Sequence, residues 1–281
     1  MEADGDQTTA DGEATAGDEG NGAEAVGWPA PRLAAAQRLF GEGCTIPGSE
    51  QAVVQLIEPL QLDQDKSVVD VTAGIGTAAR IIAEKFGCTV DGLENDPALV
   101  EQGTKFAEKA GLGEKVTMRE GSLGHCDLEP GSRDAIFGIG ALLDQKDKTA
   151  TFLDMWTLLK PGGQVLLAEY VAKKPAEAKE DAAKWATIEK RRPHLSTLDQ
   201  IKQGLAAGHM DVHLTTDISE AFCGHITHGL AGLADVLKQG SIPKDQGPWI
   251  MWEVELWAHK VSMLESGNIG FYLFHASKAE E

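Results

Sequence analysis

The segment that most constrains this chain is Ser67–Ala78, with the sequence SVVDVTAGIGTA. An apolar run ends at Asp70, passes into small residues and leads into the helix-compatible run Ala78–Phe86. This pattern predicts a buried strand, a tight turn and a helix. Gly74 and Gly76 lie in the turn, where glycine adopts backbone angles that other residues avoid and lets a ligand approach the main chain. We therefore predict a turn that holds the nucleoside part of a cofactor.

Strands and helices alternate after this turn. The predicted strands are, in chain order, Val68–Val71, Thr89–Leu93, Val116–Met118, Ala135–Ile139, Gln164–Ala168, Val212–Thr216 and Gly270–Ser277. Alternation of this kind predicts a mostly parallel sheet covered by helices on both faces. We therefore predict an α/β fold, a Rossmann-like, doubly wound, seven-stranded sheet whose last strand is antiparallel.

The chain divides into a tail and a globular part. Residues 1–27 contain eight acids, no Lys or Arg and almost no bulky apolar side chains. Such a segment cannot bury enough surface to offset its ordering entropy, so we predict a disordered acidic tail that solubilises the protein or binds a partner. Residues 28–281 are predicted to form one domain. Helices in 28–60 precede the sheet, and helical segments in 171–211 and 218–265 are added to it.

Composition limits the partners. The formal net charge is −19, and the chain stays acidic without the tail. Nucleic acids and anionic membrane surfaces are bound by clustered Lys and Arg, so both are disfavoured, whereas a small anionic substrate needs only a few placed cations. The sequence does not indicate an oligomeric state.

The thiols and the hydropathy pattern indicate the compartment. The cysteines are far apart and lack C-x-x-C spacing, which disfavours a zinc site or a disulfide framework. A pair such as His225 and His228 on one helix is more consistent with ordinary helix residues than with a metal site, so we expect no metal. We find no apolar run of about 18 residues and no secretion signal, so we expect a cytoplasmic protein.

Two cofactors fit the predicted turn. Gly74–Ala79 satisfies the loose dinucleotide pattern, and Glu94, at the end of the second strand, can accept hydrogen bonds from both ribose hydroxyls of NAD or of S-adenosylmethionine (SAM). Asp70 lies four residues before Gly74, where it can order the loop or meet the amino-acid end of SAM through water. Because two helices also precede the first strand, SAM is favoured over NAD.

The chain resembles class I SAM-dependent methyltransferases at Val69–Gly76 and at the turn Leu159–Gly163 before the fifth strand. Thr72 stands where the family usually has the first glycine of its loop. Ser122 follows the third strand, where the family often has an acid that binds the adenine amino group. The cofactor contacts that the resemblance implies are Asp70, Thr72, Gly74, Gly76, Glu94, Asn95 and Ser122.

A closer resemblance covers roughly residues 35–278. Phe40–Ser49 is similar to the segment that lies across SAM as a lid in phosphoethanolamine N-methyltransferases and related small-molecule enzymes. The resemblance implies that 28–60 forms a helical lid in which Thr45 and Ile46 contact the cofactor. It also implies that 171–211 and 218–265 lie on the substrate side.

The same resemblance implies an acceptor site. By position, Tyr170, Arg191 and Lys260 would meet a substrate phosphate, as a hydroxyl donor, a planar fork and a point charge. Asp144 stands where those relatives have a catalytic histidine. It could take the proton of an amine nucleophile or hold an ammonium, or it could be an ordinary loop aspartate.

The resemblance therefore implies SAM-dependent methyl transfer to a small molecule, with an amine nitrogen, such as that of phosphoethanolamine, as the acceptor. The alternative is a methyltransferase-like binding or assembly subunit without catalysis, since Thr72, Ser122 and the missing histidine depart from the pattern. Trp249, Trp252 and Trp257 are expected to pack in the core rather than to form an aromatic wall around a cation.

Overall fold

The structure is a computed structural model that describes residues 26–48, 50–233 and 242–280. The predicted acidic tail lies outside the described residues up to residue 25. Residues 234–241, within the predicted helical segment 218–265, also lie outside the described residues.

Seven strands form one sheet within the described residues. They are β1 Ser67–Asp70, β2 Thr89–Glu94, β3 Val116–Glu120, β4 Arg133–Ile139, β5 Leu159–Ala172, β6 Met210–Asp217 and β7 Ile269–Lys278. The spatial order is β3-β2-β1-β4-β5-β7-β6. Strands β1 to β5 are parallel, and β7 is antiparallel to both β5 and β6. The predicted fold class is confirmed.

Helices cover both faces of this sheet. They are α1 Ala30–Phe40, α2 Glu50–Ile57, α3 Thr77–Phe86, α4 Pro97–Lys109, α5 Lys148–Leu158, α6 Pro175–Glu189, α7 Leu198–Ala207, α8 Ser219–Ala231 and α9 Gly247–Glu265. Local signals set their ends. Asp96 caps α4 by accepting from the Ala98 amide, with Pro97 in the first turn, where its missing N–H costs nothing.

One turn differs from its prediction. The sequence Pro161-Gly162-Gly163 predicts a turn between a helix and the fifth strand, but β5 already begins at Leu159, which pairs with Arg133 of β4. The register then shifts before Gln164, and Gly162 has φ +72°. Glycine adopts a positive φ at little cost. Pro161, Gly162 and Gly163 therefore form a bulge within the first part of β5 rather than a loop that precedes the strand.

The two largest apolar clusters of the core lie one on each face of the sheet, and two smaller clusters include residues of α1. Neighbouring residues of β1 belong to different clusters, because successive side chains of a strand point to opposite faces: Val68 packs in one and Val69 in the other. The two buried faces fix the strand registers, and the carboxyl ends of β1, β2, β4 and β5 meet at one edge. In open α/β sheets ligands bind at this edge.

Candidate functional site

A cavity of about 830 Å³ lies at the carboxyl ends of these strands. The predicted site residues that line it are Thr45, Ile46, Asp70, Thr72, Gly74, Glu94, Asn95, Ser122, Asp144, Tyr170, Arg191 and Lys260. The structure therefore brings together residues that the sequence assigned to a cofactor and residues assigned to an acceptor. Gly76 is the predicted site residue that does not line the cavity.

Asp70 orders the loop that follows β1. Its carboxylate is 1% exposed and accepts a hydrogen bond from the Thr72 amide over 3.1 Å. Burial raises the pKa of Asp70 to about 7, although the Thr72 N–H opposes the shift. The Thr72 hydroxyl in turn accepts from the Ile139 amide over 2.9 Å. The residue that replaces the family's usual glycine thus connects the loop to the end of β4.

The two predicted loop glycines have different roles. Gly74 has φ +54°, and a Cβ there would approach only the Thr45 hydroxyl, at 3.6 Å, so the main chain is open toward the cavity. Gly76 has φ +70°, is buried, and a Cβ there would lie 2.8 Å from the Met118 sulfur. Gly76 therefore shapes the turn behind the cavity wall, and its predicted contact with the cofactor stays a prediction.

Glu94 joins this loop to the start of α4. One carboxylate oxygen accepts from the Gly74 amide over 3.1 Å, and the other accepts from the Asp96 amide over 2.9 Å. Burial raises the pKa of Glu94, while the amide donors oppose the shift. Each oxygen keeps a further lone pair. The carboxylate is thus held rigidly at the cavity surface, where it can accept hydrogen bonds from a diol.

The segment 41–48 is fastened to the same loop. The Gly43 carbonyl accepts from the Thr77 hydroxyl over 2.6 Å and from the Arg80 guanidinium over 2.8 Å. Arg80 also donates to the Ile75 carbonyl and lies 5.0 Å from the Phe106 ring. The sequence analysis missed Arg80, because its partners are carbonyls and leave no side-chain pattern to recognise.

Lys260 lies deep in the acceptor side of the cavity. It is 7% exposed, and its ammonium is 3.4 Å from a carboxylate oxygen of Glu189, at the end of α6. The ammonium lies 4.3 Å from the Trp257 ring and 4.8 Å from the Trp185 ring. Burial lowers the pKa of Lys260, and Glu189 opposes this. Trp257 packs in the core, as predicted, and its ring also faces the chain's own cation Lys260.

Asp144 and Arg191 bind each other. The Arg191 guanidinium is 2.6 Å from the Asp144 carboxylate and 3.4 Å from that of Glu189. The Asp144 side chain is 47% exposed, so it lies at the mouth of the cavity. The pKa of Asp144 is raised, because partial burial outweighs the Arg191 charge. The predicted base and one predicted phosphate contact are therefore a partly solvated ion pair.

A buried pair closes the cavity beside the first helix. Arg32 is 5% exposed, binds Glu253 of α9 over 2.9 Å and lies between the rings of Trp28 and Trp252. Its guanidinium also donates to the carbonyls of residues 26 and 27. These two residues, assigned to the tail, are therefore attached to the globular part. The sequence analysis missed the pair, because its partners are 221 residues apart.

Glu169 supports the loop that carries Asp144. It is 1% exposed near the end of β5, and one oxygen accepts from the Leu142 amide over 3.1 Å. Its other oxygen has no hydrogen-bond partner among the described residues. Burial raises the pKa of Glu169 to about 8. An acid within the apolar run of β5 is the sequence signal that could have identified it.

In the part of the chain that the structure describes, no group of three or more His, Cys, Asp or Glu residues could hold a metal ion. None of the helices in the described ranges is long and apolar enough to cross a bilayer.

Comparison with known proteins identifies the central segment. Residues 68–163 match the family model described as "Methyltransferase domain". The chain is 35% identical over 104 residues to a sterol 24-C-methyltransferase of Yarrowia lipolytica. This match covers 37% of the chain and 27% of the relative. It is 30% identical over 150 residues to phosphoethanolamine N-methyltransferase 1 of Zea mays, covering 52% and 29%. The chain thus spans less than a third of the length of these relatives.

The fold has counterparts among solved structures. The structure of Haemonchus contortus phosphoethanolamine N-methyltransferase 2 in complex with SAM superposes with a TM-score of 0.75 at 20% identity. The match covers 88% of this chain and 57% of that one. At this identity the superposition establishes a shared fold.

Proposed function

Because the chain contains a class I SAM-dependent methyltransferase domain, we propose that it transfers a methyl group from SAM to the nitrogen of a small-molecule amine. One observation carries the proposal: a single cavity joins the Gly74 loop and Glu94 to a wall of acids and aromatic rings. A cofactor and an acceptor would meet inside this cavity, away from bulk water.

The residues present fit SAM. A carboxylate held by two amides suits a ribose diol, and Gly74 leaves its backbone open to a ligand. Glu94, Asn95 and Ser122 would hold the nucleoside, and Thr45 and Ile46 would cover it from the segment 41–48, which serves as the lid. When bound, SAM supplies a sulfonium methyl group for in-line displacement.

The chain's own residues would orient the acceptor and remove its proton. Methyl transfer depends mainly on proximity and alignment, which the residues lining the two ends of the cavity would supply. An attacking amine must be neutral. Asp144 is the proposed base, supported by its place at the mouth, where solvent can receive the proton, and by Glu169, which holds its loop. The Arg191 charge favours the ionised, proton-accepting form of Asp144.

A phosphorylated amine is a second acceptor class. Its support is that Tyr170, Arg191 and Lys260 line one wall and that two relatives are named for phosphoethanolamine. The unphosphorylated class is supported by the carboxylates that already neutralise these cations.

A SAM-consumption assay tests the proposal. The full chain is incubated with SAM and a panel of amines, their methylated forms and the corresponding phosphate esters. We expect S-adenosylhomocysteine to accumulate with at least one amine. Asp144→Asn should lower kcat about 100-fold, the lower range for losing a general base, without changing SAM binding. SAM binding without turnover on the whole panel would favour the non-catalytic subunit.

A further inference from the structure

The cations on the acceptor side of the cavity are all paired with carboxylates. We define the acceptor wall as Arg32, Asp144, Glu189, Arg191, Glu253 and Lys260, which all line the cavity. Arg32 binds Glu253 over 2.9 Å and Arg191 binds Asp144 over 2.6 Å. Lys260 lies 3.4 Å from Glu189. The wall therefore has no net formal charge, and an anion that binds its cations must compete with these carboxylates.

Glu189 occupies the point between two of these cations. Its carboxylate oxygens lie 3.4 Å from the Lys260 ammonium and 3.4 Å from the Arg191 guanidinium, with a side chain only 13% exposed. Burial opposes ionisation of Glu189, but Lys260 and Arg191 outweigh it and lower the pKa below its usual range. A carboxylate is thus fixed in the place where these cations would otherwise hold a substrate phosphate.

Other residues that line the cavity also favour a positively charged acceptor. Glu94 and Asp96 also line it, and the rings of Tyr170 and Trp257 face the same space. Ammonium groups are attracted by carboxylates and by ring faces. A phosphate dianion beside Glu189 would be repelled, and displacing Glu189 would leave its charge buried without a partner.

We propose that Glu189 is the specificity-determining residue of the acceptor wall: it excludes phosphorylated acceptors and selects acceptors whose charged group is an ammonium. The inference rests on the proposed function and chooses between its two acceptor classes. It also explains why Arg191 and Lys260 stand where phosphate-binding residues are expected while the chain as a whole is acidic.

The experiment compares four forms of the full chain: wild type, Glu189→Gln, Glu189→Asp and Glu177→Gln. Glu177 lies in the first turn of the same helix, is exposed, and does not line the cavity, so its variant removes the same charge elsewhere. Each form is saturated with S-adenosylhomocysteine and titrated calorimetrically with inorganic phosphate, phosphoethanolamine and ethanolamine. Thermal unfolding reports whether each form is folded, and a separate titration with S-adenosylhomocysteine reports whether its cofactor site is intact.

We expect Glu189→Gln to bind phosphate and phosphoethanolamine at least about tenfold more tightly than wild type, because a repulsive charge within a few ångströms is gone. Glu189→Asp, which keeps the charge, and Glu177→Gln should bind them as wild type does. Ethanolamine should bind Glu189→Gln more weakly or not at all.

Three results would overturn the inference. One is a wild type that binds phosphoethanolamine more tightly than ethanolamine. Another is no gain of phosphate affinity in Glu189→Gln. The third is a failure of both Glu189→Gln and Glu189→Asp to fold, because the role of Glu189 would then be structural. If wild type does not bind S-adenosylhomocysteine at all, the proposed function fails instead, so the two failures can be told apart.

Discussion

In the cofactor half of the cavity, backbone amides from the loops after β1 and β2 converge on one carboxylate, whereas in the acceptor half side chains from separate elements bind one another. Glu94 accepts from the amides of Gly74 and Asp96, both within reach of the β1 and β2 ends. The acceptor half depends on pairs such as Arg32 with Glu253, which lie on α1 and α9.

This difference determines which contacts in each half of the cavity can be changed by substitution. Backbone amides cannot be removed by substitution except with proline. Binding in the cofactor half therefore depends on the main-chain conformation of the loops and on one acid, Glu94. Side-chain pairs can be exchanged one at a time, so the acceptor half can change its charge without changing the fold. A domain of this construction keeps one cofactor and can acquire different acceptors.

The largest expected effect tests whether the acceptor half is held by its ion pairs. Arg32→Ala leaves Glu253 buried without its partner and removes the contacts with Trp28 and Trp252. We expect the free energy of unfolding to fall by about 3–5 kcal/mol, measured by urea denaturation. Arg38→Ala, an exposed change on the same helix, should cost less than about 0.5 kcal/mol.

Equal losses in the free energy of unfolding for Arg32→Ala and Arg38→Ala would show that the ion pair does not hold the acceptor half together. The comparison would be sharpened by the double variant Arg32→Met, Glu253→Leu, which replaces the pair by apolar side chains. Because an apolar pair leaves no unpaired charge, the double variant should be more stable than Arg32→Ala alone.

The next effect concerns the single carboxylate of the cofactor half. Glu94→Ala removes the acceptor of two loop amides as well as the proposed ribose contact. SAM binding should weaken by about 1–3 kcal/mol, the range for hydrogen bonds to a charged group, as measured by calorimetry. Glu101→Ala, an exposed change on α4, serves as the control and should bind SAM like wild type. Equal affinity of the two variants would show that Glu94 does not contact the ligand.

Glu169 gives a smaller, pH-dependent effect in the acceptor half. Its pKa is about 8 when folded against 4.5 for an ordinary glutamate, so the native state keeps a proton that the unfolded chain loses. Its stabilising contribution is complete below about pH 4.5 and is lost as the pH rises through about 8. Glu169→Gln cannot ionise, so its free energy of unfolding relative to wild type should rise between pH 5 and 8.

Urea denaturation at several pH values measures this difference. The exposed variant Glu129→Gln is the matched control, and its difference from wild type should be flat over the same range. A Glu169→Gln difference that is equally flat would mean that the buried acid is ionised in the native state, and the account of how the Asp144 loop is supported would have to change.

The smallest effect isolates the close packing behind the cofactor loop. Gly76 and Gly111 have nearly the same φ, +70° and +71°, so alanine is strained equally at both. A Cβ at Gly76 meets the Met118 sulfur at 2.8 Å, whereas nothing lies within 4 Å at Gly111. Gly76→Ala should therefore cost about 1 kcal/mol more than Gly111→Ala in the free energy of unfolding. Equal costs would show that Met118 moves aside freely.

The cofactor half could be predicted from the sequence because its contacts are local. An apolar run, an acid and two glycines specify strand, turn and helix, and Glu94 follows at the end of the neighbouring strand. The alternation of strands and helices likewise predicted the sheet, whose central strands β1, β4 and β5 are mostly buried on both faces. Thr72 was read as a departure from a family pattern, and only its bond to the Ile139 amide shows what the hydroxyl does.

The acceptor half was only partly predicted, for a physical reason. Tyr170, Arg191 and Lys260 were assigned by resemblance and do line one wall, but their charge partners could not be inferred. Glu189 is separated from Lys260 by 71 residues, and no local pattern distinguishes it from the other acids of α6. Long-range ion pairs depend on how helices dock, which a single sequence does not specify.

The central claim is that the Gly74 loop and Glu94 bind SAM, and titration calorimetry of the full chain with SAM tests it most directly. The account predicts saturable heat for one site with a micromolar Kd. The absence of heat at high micromolar SAM, together with an enhanced NADH fluorescence on mixing, would contradict it and assign the cavity to a nicotinamide cofactor.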